Sequence, residues 1–278
     1  MKKFSRELMW SVLNITIYDN NIDLEVIENC FFETEKFEKK YSRFLEDSYL
    51  SLLNKNKSSQ EIPWELLSIL KLSNKVSQIS NWYFDITILP FLENIWYWIN
   101  KEEMKEVYWY KNIVINDNTI KLENWVSIDI WSVWKWYIVD KIYNILNEKY
   151  NEFVIDFWWD IRIKWKQKIY LEDPLQLSKN IWYIELENSS IASSASNRRK
   201  TKKWWHLINP KKNITDDKLA VYTIHKLASF SDILSTALYV SPIEVALNMV
   251  KKSKWLEAMI IMKNWKIYKT NWFNIKNI

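Results

Sequence analysis

The sequence holds no glycine among its 278 residues. Average usage of ~7% would supply roughly 20, and their absence removes the one residue that takes positive φ without a steric penalty. A single cysteine, Cys30, excludes an internal disulfide and any cysteine cluster for zinc. Only two histidines occur, His206 and His225, so a multi-histidine metal centre is excluded as well. No stretch reaches the ~18 apolar residues of a membrane span. The start, "MKKFSRELMWSVLNITIYD", is basic but lacks a following apolar segment and is interrupted by Glu7, so no signal peptide is visible. The expectation is a cytoplasmic protein with no transmembrane segment.

What the sequence has instead is tryptophan: 19 of them, close to the number of missing glycines. They sit where glycine belongs. "KNWK" (263–266) lies between two strand-like runs, as an Asn-Gly hairpin turn would. "IDFWWDIRIKWKQKIY" puts Trp158, Trp159 and Trp165 at the breaks between alternating segments. Tryptophan suits such places poorly, because positive φ is a steric outlier for a bulky side chain. The sequence therefore reads as one in which each Trp stands for Gly. Standard-table translation of a gene that reads UGA as glycine would produce it. The net charge of +5 accompanies abundant Lys, Asn and Ile, which points to an AT-biased genome rather than a nucleic-acid surface.

Hydrophobic periodicity outlines the elements. "SVLNITIYD" alternates like a strand, and helical patterns follow over about 22–47 and 64–80. Short strands are expected near 113–115, 119–122 and 126–130, then a helix over 132–150. Further strands fall near 153–157, 161–163, 168–171 and 183–186. "NSSIASSASNRRKTKKWWHLINPKKNITDD" has little periodicity and reads as loop. A strand near 219–224, helices at about 231–238 and 242–251, and a hairpin in "LEAMIIMKNWKIYKT" close the chain. Strands and helices mix without strict βαβ alternation, which indicates the α+β class. No internal repeat or linker divides the chain.

The stretch richest in chemistry is "IDIWSVWKWYIVDKI" (128–142). With glycine for tryptophan it becomes a strand, a glycine-rich turn carrying Lys135, and a helix. Glycines let backbone approach a phosphate, the helix N-terminus offers N–H donors, and Lys135 adds charge. The spacing is neither that of a P-loop nor GxGxxG. A tight turn with a surface lysine is the alternative reading.

This stretch is similar to the IDLGGIAKGYAVD signature of the ApbE-type FAD:protein FMN transferases, and the resemblance continues in order along nearly the whole chain. "LMWSVLNITIYD" looks like the family's N-terminal MGT strand, and "YSRFLEDSYLSLLN" like FSxYxxDSELSxLN. "NWYFDITILPFLENIWYWIN" is similar to GxFDITVGPLVxxWGFG, and "VIDFWWDIRIKWK" to LVNIGGDIRxxG. "IASSASNRRKTKKWWHLINPKKN" resembles ATSGDYxR followed by HIIDPRTG, and "SFSDILSTALYV" resembles ADALATALxVLG. Eight of the nine tryptophans in these blocks up to Trp159 fall on family glycines, while the family's own tryptophan corresponds to Ile95.

The resemblance implies a T-fold-like α+β architecture of mixed sheet and helix, a single compact catalytic unit with two lobes spanning residues 1–278. It implies Mg²⁺-dependent transfer of FMN from FAD to a Thr or Ser hydroxyl of a target protein, through a phosphoester bond and with release of AMP. Asp232 and Thr236 match the metal-binding pair of ADALAT, and an i,i+4 pair puts both oxygens on one helix face. The alternative for this segment is an N-cap at Ser231 with an acidic first turn. Ser132 matches the position whose backbone oxygen completes the metal site. Met9, Phe44, Asn54, Tyr83, Phe84, Asp85, Asp129 and Lys135 match positions at or near FAD. Core packing is the alternative for Phe84, and bracing of the turn for Asp129. His206 matches the histidine of HIIDP, giving it a catalytic role as general base or phosphate contact, and Ile208 would pack on the nucleotide. Asp232 belongs to the catalytic set through the metal. His225 matches no motif and reads as structural.

The pattern departs at Asn209, where the family has Asp, and at Ser193 and Ala195, where it has Thr and Gly. The basic run "RRKTKK" (198–203) reads as a solvated loop facing an acidic target segment. Relatives in this family are often exported or lipid-anchored. Two other functions remain open: a Mg²⁺-dependent FAD pyrophosphatase, and a non-catalytic flavin- or nucleic-acid-binding protein.

Overall fold

Branched and aromatic residues alternating with polar ones build most of the strands. A computed structural model describes residues 1–9, 11–90, 110–123, 126–195 and 217–278. Its strands are β1 (Lys2–Leu8), β2 (Ser11–Ile17), β3 (Ser58–Ser59), β4 (Ile113–Asn116), β5 (Thr119–Leu122), β6 (Phe153–Phe157) and β7 (Ile161–Lys164). They continue with β8 (Lys166–Asp173), β9 (Gln176–Glu187), β10 (Ser190–Ala195), β11 (Lys218–His225), β12 (Glu257–Met262), β13 (Ile267–Lys269) and β14 (Lys276–Asn277). Among the described residues the helices are α1 (Leu24–Tyr41), α2 (Tyr49–Asn56), α3 (Trp64–Ile79), α4 (Trp131–Asn147), α5 (Ala228–Val240) and α6 (Ile243–Lys252). None of them is long and apolar enough to cross a membrane.

Eight strands form one antiparallel sheet in the order β1-β2-β6-β7-β10-β11-β12-β13. Its two faces serve two cores. Val221, Ala258 and Ile260 turn toward the helices, while Ala220, Tyr222, Met259 and Ile261 turn toward the small sheet β14-β9-β8. A strand buried on both faces loses its alternation, as the apolar run of β11 shows. β6 keeps strict alternation, with Phe153, Ile155 and Phe157 fully buried. The mixed antiparallel sheet and helices bear out the α+β expectation.

α1 shows how sequence sets a boundary. Asp23 caps it by accepting the Glu25 N–H, and Lys39 and Lys40 lie at its negative end. Ile27, Cys30, Phe31, Thr34, Phe37 and Tyr41 form its buried stripe. The expected continuation to residue 47 does not occur. Ser42 turns extended, two tight turns follow, and Ser48 caps α2 by accepting the Ser51 N–H. Burial pushes the Cys30 thiol up to about 12, so it is a core residue and not a nucleophile.

Three further expectations need correction. β10 lies inside the segment read as loop, because its Ser and Ala residues carry no apolar alternation; it pairs with β7 and β11 at the centre of the sheet. The strand expected at 126–130 is reduced to one isolated bridge, Ile88 to Ser127. α5 begins at Ala228, before Ser231, so Ser231 is a helical residue and not the cap.

Candidate active site

Side chains take the place of a ladder around residues 126–130. Asn54 on α2 accepts the Ile128 N–H at 2.7 Å and donates to the Ile128 carbonyl at 2.9 Å. Lys57, the left-handed cap of α2, donates its Nζ to the Val126 carbonyl and to Ser127 Oγ, both at 2.8 Å. From the opposite side the Ile86 carbonyl accepts the Asp129 N–H at 2.7 Å. The segment is thereby clamped between α2 and the loop after α3.

Asp85 braces that loop. Its Oδ1 accepts the Thr87 N–H (2.9 Å) and hydroxyl (2.8 Å), and its Oδ2 accepts the Tyr110 N–H (3.0 Å). Burial pushes its carboxyl above the usual aspartate value, against the pull of these donors. Arg43 Nε stands 3.8 Å from Asp129 Oδ2, and its guanidinium lies 4.6 Å from the centre of the Phe44 ring. Phe44 itself is 49% exposed, unlike the core aromatics. Phe44, Asn54, Asp85 and Asp129, drawn from three of the stretches quoted above, are thus gathered at the entry to α4. Tyr83 is partly buried against the core, and Phe84 is a core residue.

α4 starts at Trp131 without a side-chain cap. The separate turn expected before it is absent, and positions 131, 134 and 136 all lie in its first two turns. Lys135 is buried, with its Nζ 4.5 Å from the centre of the Trp158 ring in the β6–β7 turn.

Farther along α4, Asp140 performs a task that sequence reading missed. It accepts the Ala228 N–H (2.8 Å), the Ser229 N–H (3.0 Å) and the Ser229 hydroxyl (2.7 Å), and it pairs with Arg162. α5 has no side-chain cap of its own, so a carboxylate from α4 satisfies its first turn. Burial pulls Arg162 down to about 10, which leaves it charged at neutral pH beside Asp140. Hydroxyl pairs then fasten α5 to β10: Ser190 with Ser231 at 2.7 Å and Ser194 with Ser235 at 2.8 Å.

On this anchored helix Asp232 and Thr236 stand one turn apart, both partly exposed. Thr236 Oγ1 lies 3.4 Å from Ser194 Oγ, and the Asp232 carbonyl accepts the Ser235 hydroxyl at 2.9 Å. One carboxylate and one hydroxyl fit Mg²⁺, a hard cation that takes one or two protein oxygens and completes its shell with phosphate and water. Among the described residues no three or more His, Cys, Asp or Glu side chains gather to hold a metal by themselves.

Ser132 is in the first turn of α4. Met9 is buried at the end of β1 with φ 58° and gives its N–H to Glu38 Oε2 at 3.2 Å, so it is not part of the bonds that gather Phe44, Asn54, Asp85 and Asp129. His206, Ile208 and the basic run 198–203 lie outside the described residues. His225 is structural: it stacks on Phe230 at 4.9 Å, and its Nδ1 accepts the Leu227 N–H at 3.0 Å. Arg43, Lys57 and Asp140 escaped the sequence reading. Nothing local marks them, since their polar partners lie far away in sequence.

The ApbE family model matches residues 9–260. Three solved structures share the fold. The apbe protein of Thermotoga maritima is 21% identical with TM-score 0.86, covering 98% of this chain and 97% of that one. The flavin transferase ApbE of Vibrio cholerae is 18% identical with TM-score 0.81, at 98% and 97% coverage. Pseudomonas stutzeri flavinyl transferase ApbE, in an apo form, is 17% identical with TM-score 0.81, at 97% and 95% coverage. No curated protein sequence matches this chain.

Proposed function

The chain belongs to the ApbE family, and from that premise we propose that it transfers the FMN half of FAD to a Thr or Ser hydroxyl of a protein acceptor, with release of AMP. The observation that carries this reading is the gathering of Phe44, Asn54, Asp85 and Asp129 where α4 begins. The four residues come from three of the matched motifs, and a shared ligand accounts for their meeting at one place. Residues 1–278 act as one catalytic unit.

The half-exposed Phe44 ring offers a face to an aromatic ligand, with Arg43 on its other side. Asp129 and the loop braced by Asp85 supply acceptors for base or ribose groups. Lys135 offsets phosphate charge at the start of α4, where helix N–H groups point the same way. Asp232, Thr236 and the Ser132 carbonyl would hold Mg²⁺, which supplies Lewis acidity at the pyrophosphate. In the reaction the acceptor oxygen forms a bond to the flavin-side phosphorus, the anhydride P–O bond breaks, and AMP departs with the bridging oxygen. His206 takes the hydroxyl proton or contacts a phosphate.

The test is to incubate the protein, made with glycine at every Trp position, with FAD, Mg²⁺ and a Thr-containing acceptor. Covalent flavin on the acceptor and AMP should appear in equal amounts. Free FMN with an unlabelled acceptor would favour the pyrophosphatase. Absence of AMP, with salt-sensitive binding to DNA or RNA, would favour a non-catalytic binder.

A further inference from the structure

We infer that the working protein carries glycine at the positions written as tryptophan, and that this exchange takes the indole at 158 off Lys135. Twelve tryptophans lie among the described residues, and six of them have φ between 59° and 82°: Trp82, Trp158, Trp159, Trp165, Trp255 and Trp265. A non-glycine residue adopts such angles in only a few per cent of cases, mostly as Asn or Asp. Half of one residue type there, and that type the bulkiest, is not a property of tryptophan.

Each turn asks for glycine by its own geometry. Trp158 and Trp159 are the two central residues of the β6–β7 hairpin, closed by the Phe157 N–H on the Asp160 carbonyl at 2.9 Å. With φ of 59° and 71° at both, this is the primed turn that Asn and Gly normally fill. Trp265 is the left-handed residue of a three-residue β12–β13 loop, bonded to the Met262 carbonyl at 2.9 Å, which is the glycine slot of a bulged hairpin. The place is the one expected from "KNWK", though the loop has one residue more than a two-residue Asn-Gly turn. At the Schellman end of α3 the left-handed C′ place is held by Asn81, and Trp82, donating to the Ser77 carbonyl at 2.7 Å, follows as a second consecutive positive-φ residue at 64°. Trp255 is the third residue of the turn closed by the Leu256 N–H on Ser253, where positive φ at that place alone marks a type II turn.

For five of the six, no burial compensates for the strain. Trp158, Trp159, Trp165, Trp255 and Trp265 are 39 to 85% exposed. Three of the five other positive-φ residues are Asn81, Asp117 and Asn188, the types that tolerate the region. For Trp136, buried in α4, and Trp182, in β9, φ does not discriminate. At 158 the exchange has a chemical consequence, because the indole lies over the Lys135 ammonium. This second part rests on the flavin-transfer reading, and the first part does not.

Three measurements test the inference. Peptide mapping of the native protein from its source organism should give glycine at all 19 positions and no tryptophan fluorescence; tryptophan at 158, 159 or 265 overturns it. A recombinant variant with glycine only at 82, 158, 159, 165, 255 and 265 should melt about 10 °C or more above the chain as written. Equal or lower melting overturns the turn argument. The all-glycine form should bind FAD at least about tenfold more tightly than the chain as written, a difference of one decade in Kd. Glycine in the native peptides and higher melting, with no FAD binding by the all-glycine form, would uphold the glycine assignment while sinking the flavin reading.

Discussion

Asp129 and Asp140 lie on one stretch of chain, just before α4 and within it, and the fold uses them in opposite ways. Asp140 is surrounded by donors whose positions are fixed: two backbone N–H groups, the Ser229 hydroxyl and the buried Arg162. Asp129 meets Arg43 across 3.8 Å, beside a half-exposed Phe44. A carboxylate matched to short, rigid donors belongs to the scaffold. One whose cationic neighbour also lies against a half-exposed ring stands at the wall of the candidate site. The same contrast separates the serine-fastened side of α5 from its Asp232 and Thr236 face.

Breaking the scaffold side should give the largest effect. Asp140→Ala leaves Arg162 buried without its carboxylate and uncaps α5, and should cost about 3–5 kcal/mol in urea unfolding. A loss within the error of the measurement would mean that Asp140 is not the latch. Asp232→Ala tests the other side: Mg²⁺-dependent FMN transfer should fall at least about 10²-fold, while the melting midpoint stays within about 2 °C. Retained turnover would remove Asp232 from the metal site. Asn54→Ala should fall between the two, since it both holds the chain and shapes the site. Losing two bonds to Ile128 should cost about 1–3 kcal/mol and raise the KM for FAD. An unchanged KM would confine Asn54 to stability.

Elements with period signals were legible in sequence: α3, the alternation of β6, the closing hairpin. What was not legible has physical causes. β10 is Ser and Ala apart from Ile191, because its neighbour α5 approaches through hydroxyl pairs, so no apolar pattern records it. Residues 126–130 look like a strand because apolar and polar residues alternate, yet Asn54 and Lys57 bind their backbone instead of a ladder partner. The cap of α5 comes from Asp140, on another helix, and no local motif can announce it. Most site residues were reached through matched motifs. Arg43 was not, because its place is set by Asp129 and Phe44 together.

The smallest effect sharpens the scaffold side at the entry to α5. His225 accepts the Leu227 N–H through Nδ1, which only a ring unprotonated at that atom can do. Burial, with a minor contribution from Arg162, holds its pKa below the usual imidazole value. Between the native ring's pKa and the unfolded value of ~6.5, the unfolded chain binds the extra proton. Stability from this group is therefore full above the unfolded pKa, is lost as pH falls through that window, and changes no further once the native ring is protonated. His225→Phe keeps a ring for Phe230 to stack on and removes the titration. Its urea midpoint should therefore vary less than the parent's between about pH 7 and about pH 5. Parallel curves for the two proteins would show that acid loosens the molecule elsewhere, and that the turn into α5 depends on Asp140 and not on the imidazole.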